Sequence, residues 1–174
     1  MRVFGLVLEK LGSARNVVIS FVLCFVVGLL VWGAKNPRQP IAFNHSKHVE
    51  NGVGCTDCHA GAQDSARATL PQISTCLTCH ESALTQSPEE AKIRAAAASG
   101  SELQWTQITR VPPHVYFSHR RHTQAGKVEC AVCHGAMQKA TVPPQGQFRR
   151  LDMDDCLDCH AQRGVKTDCN DCHR

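Results

Sequence analysis

The longest hydrophobic stretch of the chain lies near its start. Residues Val17 to Ala34 form an uncharged, mostly apolar run of 18. As a helix this run spans roughly 27 Å, close to the thickness of a bilayer core. Trp32 sits near its far end, where interfacial aromatics collect. A cleaved signal peptide is the competing reading, but a cut after Ala34 would put the bulky Trp32 at the third position before it. The pattern therefore predicts an uncleaved transmembrane helix over 17–34, with a cytoplasmic N-terminus over 1–16. In that first stretch Phe4, Leu6, Leu8 and Leu11 either lie along the inner surface or simply extend the helix. Cys24, inside the run, reads as a small packing residue. One further helix is predicted in the middle of the chain. Ser87 is its N-cap, Pro88 its first position, Glu90 completes a capping box, and it runs through Ala98 to stop near Ser99-Gly100.

The cysteines change the picture. Ten of the 11 fall into five copies of Cys-x-x-Cys-His: Cys55/Cys58/His59, Cys76/Cys79/His80, Cys130/Cys133/His134, Cys156/Cys159/His160 and Cys169/Cys172/His173. This is the pattern of c-type haem attachment. Two thiols must reach two vinyl groups on one porphyrin edge, and the following His reaches the iron as proximal ligand. Zinc sites pair two Cys-x-x-Cys units and need no His after each. Disulfides give no reason for five adjacent histidines. Five covalently bound haem c groups follow, with those ten cysteines as cofactor-binding residues and the five histidines as iron ligands.

Composition agrees with a cofactor-built interior. Aromatic residues make up only 5% of 174, and part of the 43% hydrophobic fraction lies in the apolar run. The remainder predicts short helices around the motifs and long loops wrapped on porphyrin. The formal charge of +4 is offset by about one negative charge per ferric haem with ionised propionates, so the basic sequence is no argument for nucleic acid.

The chain also repeats itself. Phe43-Asn-His45-Ser-Lys-His48 before Cys55 matches Phe117-Ser-His119-Arg-Arg-His122 before Cys130, offset by 74 residues at the Phe and 75 at the Cys. This predicts a first haem module with two haems over 41–86, a helical spacer over 87–114, and a second module with three haems over 115–174. The spacer's helix reads equally as a docking element and as a plain linker.

Ligand counting points to electron transfer. Of 10 histidines, five belong to the motifs; His45, His48, His114, His119 and His122 remain. The three-residue spacing within each F-x-H-x-x-H lets two imidazoles leave one helical turn in different directions, each toward a different iron. His45, His48, His119 and His122 are thus distal ligand candidates. A haem with two strong axial ligands has no open position for substrate, so no catalytic residues are assigned. Phe43 and Phe117 are expected to pack on porphyrin edges.

The F-x-H-x-x-H…C-x-x-C-H module resembles class III-type cytochromes c, over residues 41–80 and 115–174. The resemblance implies a class III-like multihaem fold in which His45 serves the haem at Cys55/Cys58 and His48 the haem at Cys76/Cys79. Likewise His119 would serve the haem at Cys130/Cys133 and His122 the haem at Cys156/Cys159. For the fifth haem, trihaem relatives carry the sixth ligand a few residues before the preceding motif. That position holds Met153, with His114 as the alternative. The single predicted anchor, the two-plus-three haem division and the stretch Trp105…Arg110-Val111-Pro112…Val115-Tyr116-Phe117-Ser118-His119 resemble the pentahaem subunit of alternative complex III and related quinone reductase complexes. His114 departs from that family, which places an aromatic there. This resemblance implies a single-pass inner-membrane protein, N-terminus inside and haem domain periplasmic. It also implies a quinol-oxidising respiratory or photosynthetic complex, with an iron–sulfur protein, polytopic quinol-binding subunits and a downstream acceptor protein as partners. The competing functions are a self-sufficient quinol dehydrogenase, a free-standing redox carrier, and a catalytic multihaem reductase. The last needs an open haem, often with a Cys-x-x-Cys-Lys motif, and all five motifs here end in His.

Overall fold

The computed structural model describes the backbone of residues 2–35 and 37–173; within the first helix, side chains are described for 15–29, 31 and 33. The chain divides into two compact units, Met1–Pro37 and Arg38–Arg174. The first unit is a single helix, α1 (Arg2–Lys35). Its described side chains include Val17, Phe21, Phe25 and Leu29, all exposed. No helix among the described residues is long and apolar enough to cross a membrane. The transmembrane helix expected over 17–34 is therefore not supported, nor is the single-pass inner-membrane placement with a periplasmic haem domain that rested on it. The continuous described apolar run, 17–29, rises only about 20 Å as a helix, against about 30 Å of hydrocarbon. The expected roles of Trp32 and of Phe4, Leu6, Leu8 and Leu11 fall on side chains outside the described set.

The second unit is made of short helices and loops. In order these are α2 (His45–Glu50), α3 (Cys55–Cys58), α4 (Ile73–His80), α5 (Pro88–Ala98), a π-helical turn (Arg121–Ala125), α6 (Cys130–His134), a 3₁₀ turn (Met137–Lys139), α7 (Met153–Gln162) and α8 (Cys169–Cys172). Side-chain core is scant: among the described residues the buried hydrophobics are Ile41 and Ile93. Each such side chain contributes about 1.5–3 kcal/mol, against an ordering cost of about 1–2 kcal/mol for every backbone residue. The polypeptide's own apolar interior is far too small to order this unit.

The two repeats fold alike, and the structure explains their unequal length. After the second His, Val53 N–H donates to His48 O at 3.0 Å, and Val128 N–H donates to His122 O at 2.9 Å. These closing bonds span five residues in the first repeat and six in the second. The extra residue is taken up by the π turn, where Gly126 N–H reaches back five residues to Arg121 O at 2.8 Å. The wider turn is the type that commonly marks functional segments. Gly52 (φ 84°) and Lys127 (φ 48°) occupy equivalent left-handed positions just before those valines.

The mid-chain helix forms as α5, with Ser87 capping the Glu89 N–H and Pro88 at its start. It packs on α4, and Ala42 N–H donates to Glu89 Oε2 at 2.7 Å. The capping box expected from Glu90 does not form. Its carboxylate turns inward instead, accepting from the Leu84 and Thr85 amides at 2.7 and 2.8 Å.

Candidate functional site

Each Cys-x-x-Cys-His motif occupies about one helical turn, so both sulfurs leave the same side. The His amide closes the turn on the first Cys carbonyl, as in His59 N–H to Cys55 O and His173 N–H to Cys169 O, both 2.9 Å. Local caps hold these turns. Asp57 accepts from the Gly54 N–H at 2.7 Å, and Asp152 from the Asp155 N–H at 3.0 Å. All eleven cysteines are free thiols.

The motif histidines meet those outside the motifs. Ring centroids of His48 and His80 are 6.1 Å apart, those of His122 and His160 6.2 Å, and those of His119 and His134 6.4 Å. A metal–imidazole bond of about 2.0–2.1 Å, plus about 1.1 Å from nitrogen to ring centre, would put two trans rings about 6.3 Å apart. His45 is close to both His59 and His48. Burial first, then the charge of those two neighbours, holds its pKa below the ordinary value. Burial likewise depresses His119 and His134, and a neutral imidazole is the form that ligates a metal. His114 lies parallel to His173, centroids 5.6 Å apart at 11°. Met153, by contrast, begins α7 and is 60% exposed.

Outer contacts orient these rings. His48 Nδ1 lies 2.8 Å from Asn44 O, and His122 Nδ1 lies 2.8 Å from Ser118 O. With Nδ1 donating to the carbonyl, Nε2 keeps its lone pair for a metal. His59 Nδ1 meets Thr69 O at 3.0 Å, and His119 Nδ1 meets Ala66 O at 3.2 Å. Phe43 stacks on His48 at 4.4 Å and meets His45 edge-on at 4.8 Å. Phe117 repeats both contacts, at 4.6 Å with His122 and 4.9 Å with His119. Each Phe thus fixes two imidazoles at once, a role that the sequence reading missed. Its signal was the invariance of F-x-H-x-x-H between the two repeats.

Among the described residues, no cluster of three or more His, Cys, Asp or Glu could hold a metal ion by itself. Paired axial imidazoles beside two thiols suit a metal whose four equatorial ligands come from a macrocycle, and the scant apolar core suits a large apolar one. The residues present therefore fit haem c. The motifs follow one another in space as second, first, third, fourth, fifth. Cys58 neighbours Cys79, Cys130 neighbours Cys55, Cys133 neighbours Cys159, and Cys156 neighbours Cys172. Backbone contacts bind the same sequence of motifs. His119 N–H donates to Ala66 O at 3.0 Å, just after the first motif, and Tyr116 N–H donates to Cys172 O at 2.7 Å in the fifth. Cys55 and Cys130 line one cavity of about 270 Å³.

Comparison with known families agrees. Residues 47–142 match the model of cytochrome c3, more than half of the chain, and residues 115–174 match cytochrome c7 and related cytochrome c. The chain belongs to the multihaem cytochromes c of the c3/c7 type. This cytochrome is also 34% identical, over 131 residues, to the "Menaquinone reductase, multiheme cytochrome c subunit" of Nitratidesulfovibrio vulgaris (strain Hildenborough). The aligned region covers 71% of the chain and 60% of that relative, so the cytochrome spans well under two thirds of the relative's length. Covalently bound haem c and electron transfer follow from the family.

Proposed function

We propose that the chain is a pentahaem electron-transfer subunit of a quinone-linked oxidoreductase complex. The observation that carries this reading is the set of imidazole pairs, three of them at 6.1–6.4 Å. Haem iron bound there would supply reversible one-electron exchange without proton transfer. The chain's own residues do the rest. The ten motif cysteines hold the macrocycles, and His59, His80, His134, His160 and His173 ligate from one side. His45, His48, His119 and His122 ligate from the other. For the fifth haem the proximity of His114 to His173 favours His114 over Met153. Two imidazoles on each iron exclude substrate, so the chain relays electrons and is not catalytic by itself. The spatial order of the motifs places the second at one end of the relay and the fifth at the other.

The menaquinone reductase relative, together with the resemblance to alternative complex III, supports iron–sulfur and polytopic quinone-binding partner subunits and a soluble redox partner. The resemblance implies quinol oxidation, while the relative's name favours quinone reduction. Intact mass of the purified chain should exceed the apoprotein by five haems, and untagged partners should co-purify. A mass with fewer haems refutes the pentahaem count. Quinol oxidation by the isolated chain at the rate of a whole complex refutes the subunit role. In the assembled complex, reduction of added quinone by the reduced cytochrome fixes one direction, and reduction of the cytochrome by added quinol the other.

A further inference from the structure

Glu90 is the only buried charged side chain among the described residues, 5% exposed. Four donors converge on its carboxylate. They are the Leu84 amide at 2.7 Å, the Thr85 amide at 2.8 Å, the Thr85 hydroxyl, and Arg94 Nη1 at 3.0 Å. The Thr85 hydroxyl and then the Leu84 amide hold its pKa down to about 2. A fifth group faces it: His80 Nδ1 lies 3.2 Å from Glu90 Oε1. That nitrogen is buried and has no well-aligned hydrogen-bond partner among the described atoms. His59, His119, His48 and His122 place the same atom against backbone carbonyls. The motif at Cys76/Cys79 thus differs in kind, because its histidine meets a full negative charge supplied by α5.

We propose that Glu90 is a positioning residue that keeps His80 Nδ1 protonated and lowers the reduction potential of the haem at Cys76/Cys79. The proposal rests on the haem reading given above. A carboxylate accepting from Nδ1–H makes the imidazole a stronger donor, and a stronger donor favours ferric over ferrous iron. The negative charge acts in the same direction through a low-dielectric interior. Arg94 opposes both effects by sharing the same oxygen. The interaction gives α5 a purpose that neither a linker nor a docking element explains, since it brings a charge to a motif ten residues upstream.

The test is spectroelectrochemical titration of the holo-cytochrome carrying Glu90→Gln or Arg94→Gln, with peptide masses confirming haem at each motif. Glu90→Gln is expected to raise one midpoint and leave the other four in place. Arg94→Gln, which frees the carboxylate, is expected to lower that same midpoint. Unchanged midpoints in both variants, or shifts of the same sign, overturn the proposal. Should Glu90→Gln lose haem, Arg94→Gln decides alone: a fall supports the role, and no change or a rise refutes it. A wild-type chain without haem at Cys76/Cys79 would sink the haem assignment itself, an outcome distinct from a loaded chain whose midpoints do not respond.

Discussion

Replacing His114 with Ala tests the fifth centre directly. The His114 and His173 rings are nearly parallel with centroids 5.6 Å apart, so a small ring adjustment brings both onto one metal at about 6.3 Å separation. The surrounding backbone does not depend on the imidazole. Val115 bridges His173, and Tyr116 N–H donates to Cys172 O at 2.7 Å. The substitution should therefore remove a ligand without releasing the segment. One iron then loses its sixth ligand and becomes open to carbon monoxide when reduced. The expected change is one carbon monoxide per chain, about a fifth of a pentahaem total, with the other four midpoints unmoved because an exchange of axial ligand acts on its own iron. Optical titration of the dithionite-reduced protein measures this stoichiometry, with wild type and Met153→Ala as controls. Carbon monoxide binding by Met153→Ala but not by His114→Ala would refute the reasoning and return the site to Met153.

Gly135 follows His134 with φ 72° and ψ −172°, and a Cβ there would lie 2.8 Å from the Phe148 ring. Gly135→Ala should cost about 1–3 kcal/mol through backbone strain, read as an earlier unfolding midpoint in denaturant. Lys127 holds the left-handed position that Gly52 fills in the first repeat, so Lys127→Gly should stabilise slightly, by at most about 1–2 kcal/mol, and a clear loss of stability would contradict the equivalence. Arg149 binds Asp155 through Nε and Nη2 at 2.6–2.9 Å, and those hydrogen bonds first, with its charge, hold Asp155 below the usual carboxylate range. The folded pKa lies below the unfolded one, so this pair's stabilisation is full above the unfolded value of about 3.9 and is lost as pH falls through the depressed folded value. Arg149→Gln should flatten that acid limb in a stability-versus-pH series.

Much of this cytochrome was legible in the sequence because its chemistry is local. Five Cys-x-x-Cys-His motifs each need one helical turn, and two F-x-H-x-x-H repeats each place two imidazoles on one turn, so residue spacing alone carried the family. Ser87 and Pro88 likewise start α5 by contacts within a few residues. The apolar run over 17–34 was read as a transmembrane anchor, which the described part of α1 does not support. What sequence could not give was which distant groups meet. Glu90 was read as a capping residue because position and type suit a capping box. Only the packing of α5 on α4 turned its carboxylate to His80. His114 was set below Met153 because neighbouring sequence made Met153 look better placed, yet His114 lies 59 residues before the ring it faces. The extra residue of the second repeat was visible as an offset, but only the π turn shows that it is absorbed without moving the closing hydrogen bond. Local turns depend on short-range sterics and hydrogen bonds that a few residues specify. Long-range pairings depend on how loops close over an interior with almost no side-chain core, and no window of sequence contains both partners.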